Sequence, residues 1–225
     1  MVARVSTVAF QGIETLDVDV QVQTSAGLPT FTIVGLPDKA VGESRERVRG
    51  ALHAMGLALP NKRITVNLAP ADVLKEGSHF DLPIAIGLLA AMDVLPMDEI
   101  GAYTALGELG LDGGLTRVAG VLPAAIHANA CARGLICPGV QGPEAAWAGE
   151  VEVLAPPNLL ALINHFKGSQ VLTPPEAKLS DEAPRYPDMA DIKGQETAKR
   201  AVEIAAAGGH NLFMLYLIDR HSFVA

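Results

Sequence analysis

The stretch that decides the fold is Lys62–Gly87, KRITVNLAPADVLKEGSHFDLPIAIG. Ile64, Val66 and Leu68 alternate with Thr65 and Asn67, the period of a half-buried strand. A polar turn, Ala69-Pro70-Ala71-Asp72, leads to an elbow of mixed charge, Lys75-Glu76-Gly77-Ser78-His79. An apolar helix follows, with Asp81 read as its cap and Pro83 in its first turn, where a missing N–H costs nothing. A strand, an elbow and a helix start often hold an anion or run a reaction. The same residues also suit ordinary turn hydrogen bonding, and that reading is preferred here for Ser78 and His79.

Working outward, the upstream chain reads as strands and one helix. Val2–Phe10 is a strand turned by Gln11-Gly12, and Asp17–Gln23 alternates Val18, Val20 and Val22 against polar residues. Phe31–Val34 is a short strand. Gly35–Asp38 turns into a helix with Val41, Val48, Leu52 and Met55 on one stripe and Glu43, Arg45, Glu46 and Arg49 outside, ended by Gly56.

Downstream, Tyr103–Leu109 reads as a strand, and Leu111–Gly114 as a hairpin turn from which Leu115–Val118 returns. Gly120–Arg133 reads as a helix closed by Gly134, Leu135–Cys137 and Val151–Ala155 as short strands, and Pro156-Pro157-Asn158 as the start of a helix carrying Leu159, Leu160, Leu162, Ile163 and Phe166. Strands and helices mixed in this order predict an α/β (or α+β) domain over residues 1–168. Pro174, Pro175, Pro184 and Pro187 mark residues 169–187 as a linker. A second helical pattern starts at Asp191, with Ala198, Val202 and Ala205 on its stripe, followed by an apolar strand, Asn211–Leu215.

The 225 residues are 49% hydrophobic but only 4% aromatic, which suits an aliphatic core better than a base-stacking platform. The net charge of −8 argues against a broad basic nucleic-acid surface and leaves room for a local patch. The segment Met1–Val20 carries Glu14, Asp17 and Asp19 and contains no leader-like apolar run, and Leu82–Met92 is too short to span a bilayer. A cytoplasmic protein without a membrane partner is expected. Cys131 and Cys137 read as two buried thiols; His127 beside them does not complete a zinc signature, so no metal is expected.

Three runs, VGLPDKAVGESRERVRGAL, RITVNLAPADVLKEGSHFDLPIAIGLL and LGELGLDGGLTRVAGVLPAA, resemble the amino-terminal domain of Mg-chelatase-like AAA+ ATPases of the YifB/ComM group. The resemblance extends from Met1 to about Met214. It implies a Lon-protease-like fold, shared with the second domain of a small-subunit ribosomal protein, for residues 1–168. It also implies a hexameric ATPase ring that uses ATP and Mg²⁺ and, in ComM members, DNA branch migration in natural transformation. RadA-type recombination proteins carry a Lon-like domain after their ATPase, and true Mg-chelatase subunits of tetrapyrrole synthesis begin with the ATPase. The order here fits the YifB/ComM group instead.

A Lon-type peptidase needs a serine activated by a nearby desolvated lysine. Matched to that pattern, His79 stands at the nucleophile position and Leu122 at the lysine position, so both dyad members are missing and no catalytic residue is expected. A divergent peptidase using Ser78 and Lys75 is the low alternative. Lys39, Arg45, Arg47, Arg49, Lys62, Arg63 and Lys75 are the candidates for DNA phosphates. Glu43, Glu46 and Glu76 interleave with them, so a solvated, salt-bridged face or a ring-assembly surface competes with DNA contact.

Residues 188–225 resemble the opening of an AAA+ module, in which Ile192 and Gly194 match residues lining the adenine pocket. The expected glycine-rich loop ending in Gly-Lys-Ser/Thr, which would cradle phosphates and place a hydroxyl on Mg²⁺, does not follow; the sequence reads Leu215-Tyr-Leu-Ile-Asp-Arg-His-Ser-Phe-Val-Ala225. The expectation is a chain truncated or frameshifted just after Met214, with an aberrant tail, an ATPase-dead product that binds no nucleotide tightly, and a poorly packed strand at its end. A standalone DNA-binding or ring-assembly module is the alternative.

Overall fold

The computed structural model describes residues 2–12, 14–178 and 188–215. The chain divides into two units, Met1–Leu179 and Ser180–Ala225. The second half of the expected linker, with Pro184 and Pro187, and the tail after Leu215 lie outside the described residues.

In the first unit, β1 (Val2–Gln11) and β2 (Glu14–Ser25) pair antiparallel from Val2 opposite Gln23 to Gln11 opposite Glu14. The short β3 (Thr30–Val34) leads into α1 (Lys39–Ala54). β4 (Arg63–Ala69) runs antiparallel to β2 and parallel to β3. Alternation sets the faces: Val18, Val20, Val22, Ile64, Val66 and Leu68 are all buried on one side. Then come α2 (Asp81–Ala91), the short α3 (Met97–Ile100), β5 (Tyr103–Ala105), the two-stranded hairpin β6 (Glu108–Leu109) with β7 (Leu115–Thr116), and α4 (Val121–Ala130). β8 (Gly134–Ile136), the short α5 (Gly142–Ala145), β9 (Val153–Leu154) and α6 (Leu159–Phe166) complete it.

Seven strands form one mixed sheet in the order β3-β4-β2-β1-β5-β8-β9. The β1–β5, β5–β8 and β8–β9 pairings are parallel. The α/β class read from the sequence is therefore correct. α1, α2 and α6 share the larger core on one face, and α4 and α5 share a second core with Val8, Leu135 and Val153. α2 is apolar all round, and every residue from Asp81 to Ala90 is buried. Each of its Leu and Ile side chains contributes about 1.5–3 kcal/mol by leaving water.

Four local expectations are corrected. Asp81 does not cap α2; it is the helix's first residue, and its carboxylate bonds elsewhere. Tyr103–Leu109 is two strands, because the chain leaves the sheet after Leu106, where the Gly107 N–H donates to His79 O and the Gly107 carbonyl accepts from Leu82 N. The helix expected to close at Gly134 ends at Ala130; Arg133 N returns to Ala128 O and Ala132 takes a positive φ of 53°, so the closure needs no glycine, and Gly134 opens β8. Cys137 is buried as expected, but Cys131 is only half-buried.

In the second unit, a 3₁₀ turn at Met189–Asp191 precedes α7 (Glu196–Gly208), which starts five residues later than the sequence pattern suggests. Ala198, Val202 and Ala205 are half-buried. Asn211–Leu215 is not a strand: it has no pairing partner among the described residues, and Phe213 is 87% and Leu215 83% exposed.

Candidate functional site

The elbow between β4 and α2 is stitched to the loop before α1. Lys75 N donates to Leu36 O (3.1 Å) and Asp38 N to Lys75 O (2.9 Å). Asp38 serves two segments at once: Oδ1 accepts from Val41 N at 2.7 Å, capping α1, and Oδ2 accepts from Gly77 N at 3.3 Å. Only glycine permits the loop to pass β4 here. Gly35 has φ 103°, and a Cβ on it would stand 2.2 Å from Leu68 O.

Lys75, Ser78 and His79 in the elbow each have a partner. The Lys75 side chain is fully buried, and its ammonium donates to the Pro70 carbonyl. Burial pulls its pKa below the usual lysine value, against the opposing charge of Asp72. The Ser78 hydroxyl donates to the Glu108 carboxylate. The buried His79 ring bonds through Nε2 to Val8 O at 2.9 Å and lies between Phe10 and Phe80, with centroids 5.4 and 4.3 Å away. Burial holds the His79 pKa below that of a free histidine despite the Val8 bond and the charges of Asp81 and Asp38.

Below the elbow, the fully buried Asp81 carboxylate takes a bidentate pair of bonds from Arg47 on α1, Nε to Oδ2 at 2.5 Å and Nη2 to Oδ1 at 3.0 Å. Leu109 N adds a third bond at 3.1 Å. The hydrogen bond that Arg47 donates to Asp81 raises the Arg47 pKa further and outweighs its partial burial. This pair joins α1, α2 and β6, and sequence reasoning missed it. An aspartate leading an otherwise apolar helix was the available signal.

A cavity of about 280 Å³ opens beside the elbow, lined by Phe10, Glu76, Ser78, His79, Arg117 and Val118. Gly120 (φ 84°) packs against the Phe10 ring, which a Cβ there would meet at 2.4 Å. Phe10 and Arg117 were not singled out in the sequence. In this arrangement the Ser78 hydroxyl faces a carboxylate and the Lys75 ammonium a backbone carbonyl, so neither is presented to the other as a nucleophile–base pair. Leu122, at the lysine-matched position, lies on α4.

The basic candidates separate. Lys75 is inside the protein and Arg47 is committed to Asp81. Lys39 stands at the start of α1 beside Glu43 (3.9 Å), and Arg45 (3.3 Å) and Arg49 (3.5 Å) both reach Glu46. Lys62 and Arg63 are exposed at the start of β4, and among the described residues neither forms an ion pair. Arg49, His53 and Lys62 line one groove of about 630 Å³ with Phe31, Leu57 and Leu59. Ten residues of α1, about 15 Å, separate Lys39 from Arg49, so the candidates do not form one patch. In the second unit Ile192 is half exposed, and Gly194 has φ 66° ahead of α7. No helix among the described residues is long and apolar enough to cross a membrane.

A family model described as subunit ChlI of Mg-chelatase matches residues 20–141, and a second, magnesium chelatase, subunit ChlI, matches residues 188–216. The competence protein ComM of Haemophilus influenzae is 42% identical over 212 residues, covering 92% of this chain and 42% of that protein. The uncharacterized protein YifB of Escherichia coli is 39% identical over 211 residues, covering 94% of this chain and 42% of that protein. The uncharacterized protein YifB of Salmonella typhimurium is 38% identical over 213 residues, covering 95% and 42%. The chain thus spans about two fifths of the length of the curated relatives it matches.

Proposed function

The chain belongs to the Mg-chelatase ChlI-subunit family, in its YifB/ComM branch, and from that membership we propose that it supplies the amino-terminal part of an ATP-driven machine that remodels DNA. The observation that carries this reading is the 42% identity to a competence protein over almost the whole chain. Residues 1–168 act as a Lon-like module, 169–187 as a linker and 188–225 as the opening of an ATPase module. The module has no peptidase activity, because Ser78 and Lys75 are each bonded to other groups.

In the proposed machine, Ile192 and Gly194 line the adenine pocket, and ATP with Mg²⁺ is held by a phosphate loop in a hexameric ring. These 225 residues contain no Gly-Lys-Ser/Thr sequence, so this chain alone hydrolyses no ATP. DNA phosphates meet the end of the first unit where Arg49, Lys62 and Arg63 stand, with Lys39 and Arg45 further along α1. A second reading, a ring-assembly module that needs no ATP, rests on the exposed Phe213 and Leu215.

The test is fluorescence anisotropy of labelled single-stranded and branched DNA with the 225-residue chain across a salt series, beside an ATP hydrolysis assay. Salt-sensitive DNA binding without hydrolysis is the expected result. Absence of binding at low salt overturns the DNA role, and hydrolysis overturns the ATPase-dead reading.

A further inference from the structure

We propose that Asp17, His127 and Cys131 form a binding site for a borderline-soft divalent cation such as Zn²⁺. Asp17 lies on β2, more than a hundred positions from the other two. His127 and Cys131 are four residues apart at the end of α4 and so share one helix face. The sequence grouped His127 with both cysteines. In the fold Cys137 belongs to the second core, and Asp17 takes its place.

The geometry fits a metal. His127 Nε2 is 3.2 Å from Asp17 Oδ1, Cys131 Sγ is 3.7 Å from His127 Nε2, and Cys131 Sγ is 4.0 Å from Asp17 Oδ2. Ligand atoms at Zn–N and Zn–O bonds of about 2.0–2.2 Å and a Zn–S bond of about 2.3 Å stand about 3.3–3.7 Å apart around a tetrahedral ion. The two Asp17 distances belong to different carboxylate oxygens, but one ligand atom from each residue lies within 4.8 Å of the others, so a turn of the carboxylate and small side-chain shifts close the triangle on an ion. Thiolate, imidazole and carboxylate together suit Zn²⁺ rather than Mg²⁺ or Ca²⁺.

Arg133 donates to Asp17 Oδ1 at 2.9 Å. It orients the carboxylate as an outer-shell partner does and leaves Oδ2 toward Cys131. Binding displaces the thiol proton of Cys131 to solvent and leaves a fourth position for water. With aspartate and thiolate negative and Arg133 positive, the loaded site keeps one net positive charge. The ion would tie the end of α4 to the β1–β2 hairpin, which no other described ion pair at α4 does except those of Asp17 with His127 and Arg133.

The test titrates the untagged 225-residue chain with Co²⁺ and follows the thiolate-to-cobalt charge-transfer band. One equivalent should saturate the band, and Zn²⁺ should displace the Co²⁺. Cys131→Ser should abolish the band, and His127→Ala and Asp17→Asn should each weaken affinity at least about tenfold. Zn²⁺ should raise the melting temperature of the parent chain and not that of His127→Ala; circular dichroism checks that each variant is folded. A missing band, a band that survives Cys131→Ser, or an affinity unchanged by His127→Ala overturns the proposal.

Discussion

Arg47 grips both oxygens of the Asp81 carboxylate, at 2.5 and 3.0 Å, and so joins the first helix to the central one across 34 positions of sequence. Asp81 is fully buried and Arg47 mostly so. Removing one partner of such a pair strands a charge in the interior. Asp81→Ala should therefore cost about 3–5 kcal/mol, read as a lower urea midpoint, and replacing both residues by apolar ones of similar volume should restore much of the loss. A double variant that costs the sum of the two single variants would show that the two residues do not act as a pair.

His79 gives a pH dependence of definite sign. Its folded pKa lies below the unfolded value of about 6.5, so the folded protein binds fewer protons than the unfolded chain as pH falls. The stabilisation is complete above about pH 6.5 and is lost as pH falls through the folded pKa. Melting temperatures taken downward from neutral pH should fall for the parent chain and more shallowly for His79→Gln, whose amide can still donate to Val8 O.

The two ends of the central stretch should separate in DNA binding. Lys62→Glu and Arg63→Glu should weaken binding uniformly across DNA sequences and lower the salt slope by about 1 each. Lys75→Met should leave that slope unchanged, because its ammonium faces Pro70 inside the protein. An equal loss from all three would place Lys75 at the surface and contradict its burial.

Ser78 donates its hydroxyl to Glu108 and meets no lysine base. A fluorophosphonate probe should leave the chain unlabelled at neutral pH. Labelling that disappears in Ser78→Ala would revive the peptidase reading.

Gly35→Ala should destabilise the chain by about 3 kcal/mol or more, since a positive φ and a Cβ 2.2 Å from the Leu68 carbonyl oxygen act together. Thermal denaturation measures it directly. Gly42→Ala, on α1 with nothing within 4 Å of its Cβ, is the control and should be neutral or mildly stabilising.

The hairpin, β4, α1 and α6 were legible because alternation and helical stripes are local signals, as in Val18-Val20-Val22 and Ile64-Val66-Leu68. What failed was non-local. Asp81 before Leu82-Pro83 has the local form of a cap, yet its partner is supplied by α1. Tyr103–Leu109 has the local form of one strand, yet Gly107 is drawn away by His79 and Leu82. Lys75 has the composition of a surface residue, and only tertiary packing reveals its burial. Asn211–Leu215 is apolar enough for a strand, but a strand also needs a neighbour. At the candidate sites, Ser78 and His79 were placed correctly in the elbow, while Glu108, Arg117 and Phe10 arrive there from elsewhere in the chain.

The strand order also has a consequence for synthesis. The contiguous half-sheet β3-β4-β2-β1, together with α1 and α2, is complete within the first 91 residues. From β1 outward the remaining strands follow as β5, β8 and β9, in the order in which they are translated. A growing chain can therefore pack β3-β4-β2-β1 against α1 and α2 before β5 leaves the ribosome, then extend the sheet one edge at a time and complete the larger core when α6 arrives. No strand of the sheet has to wait for a partner made later before that first half can form.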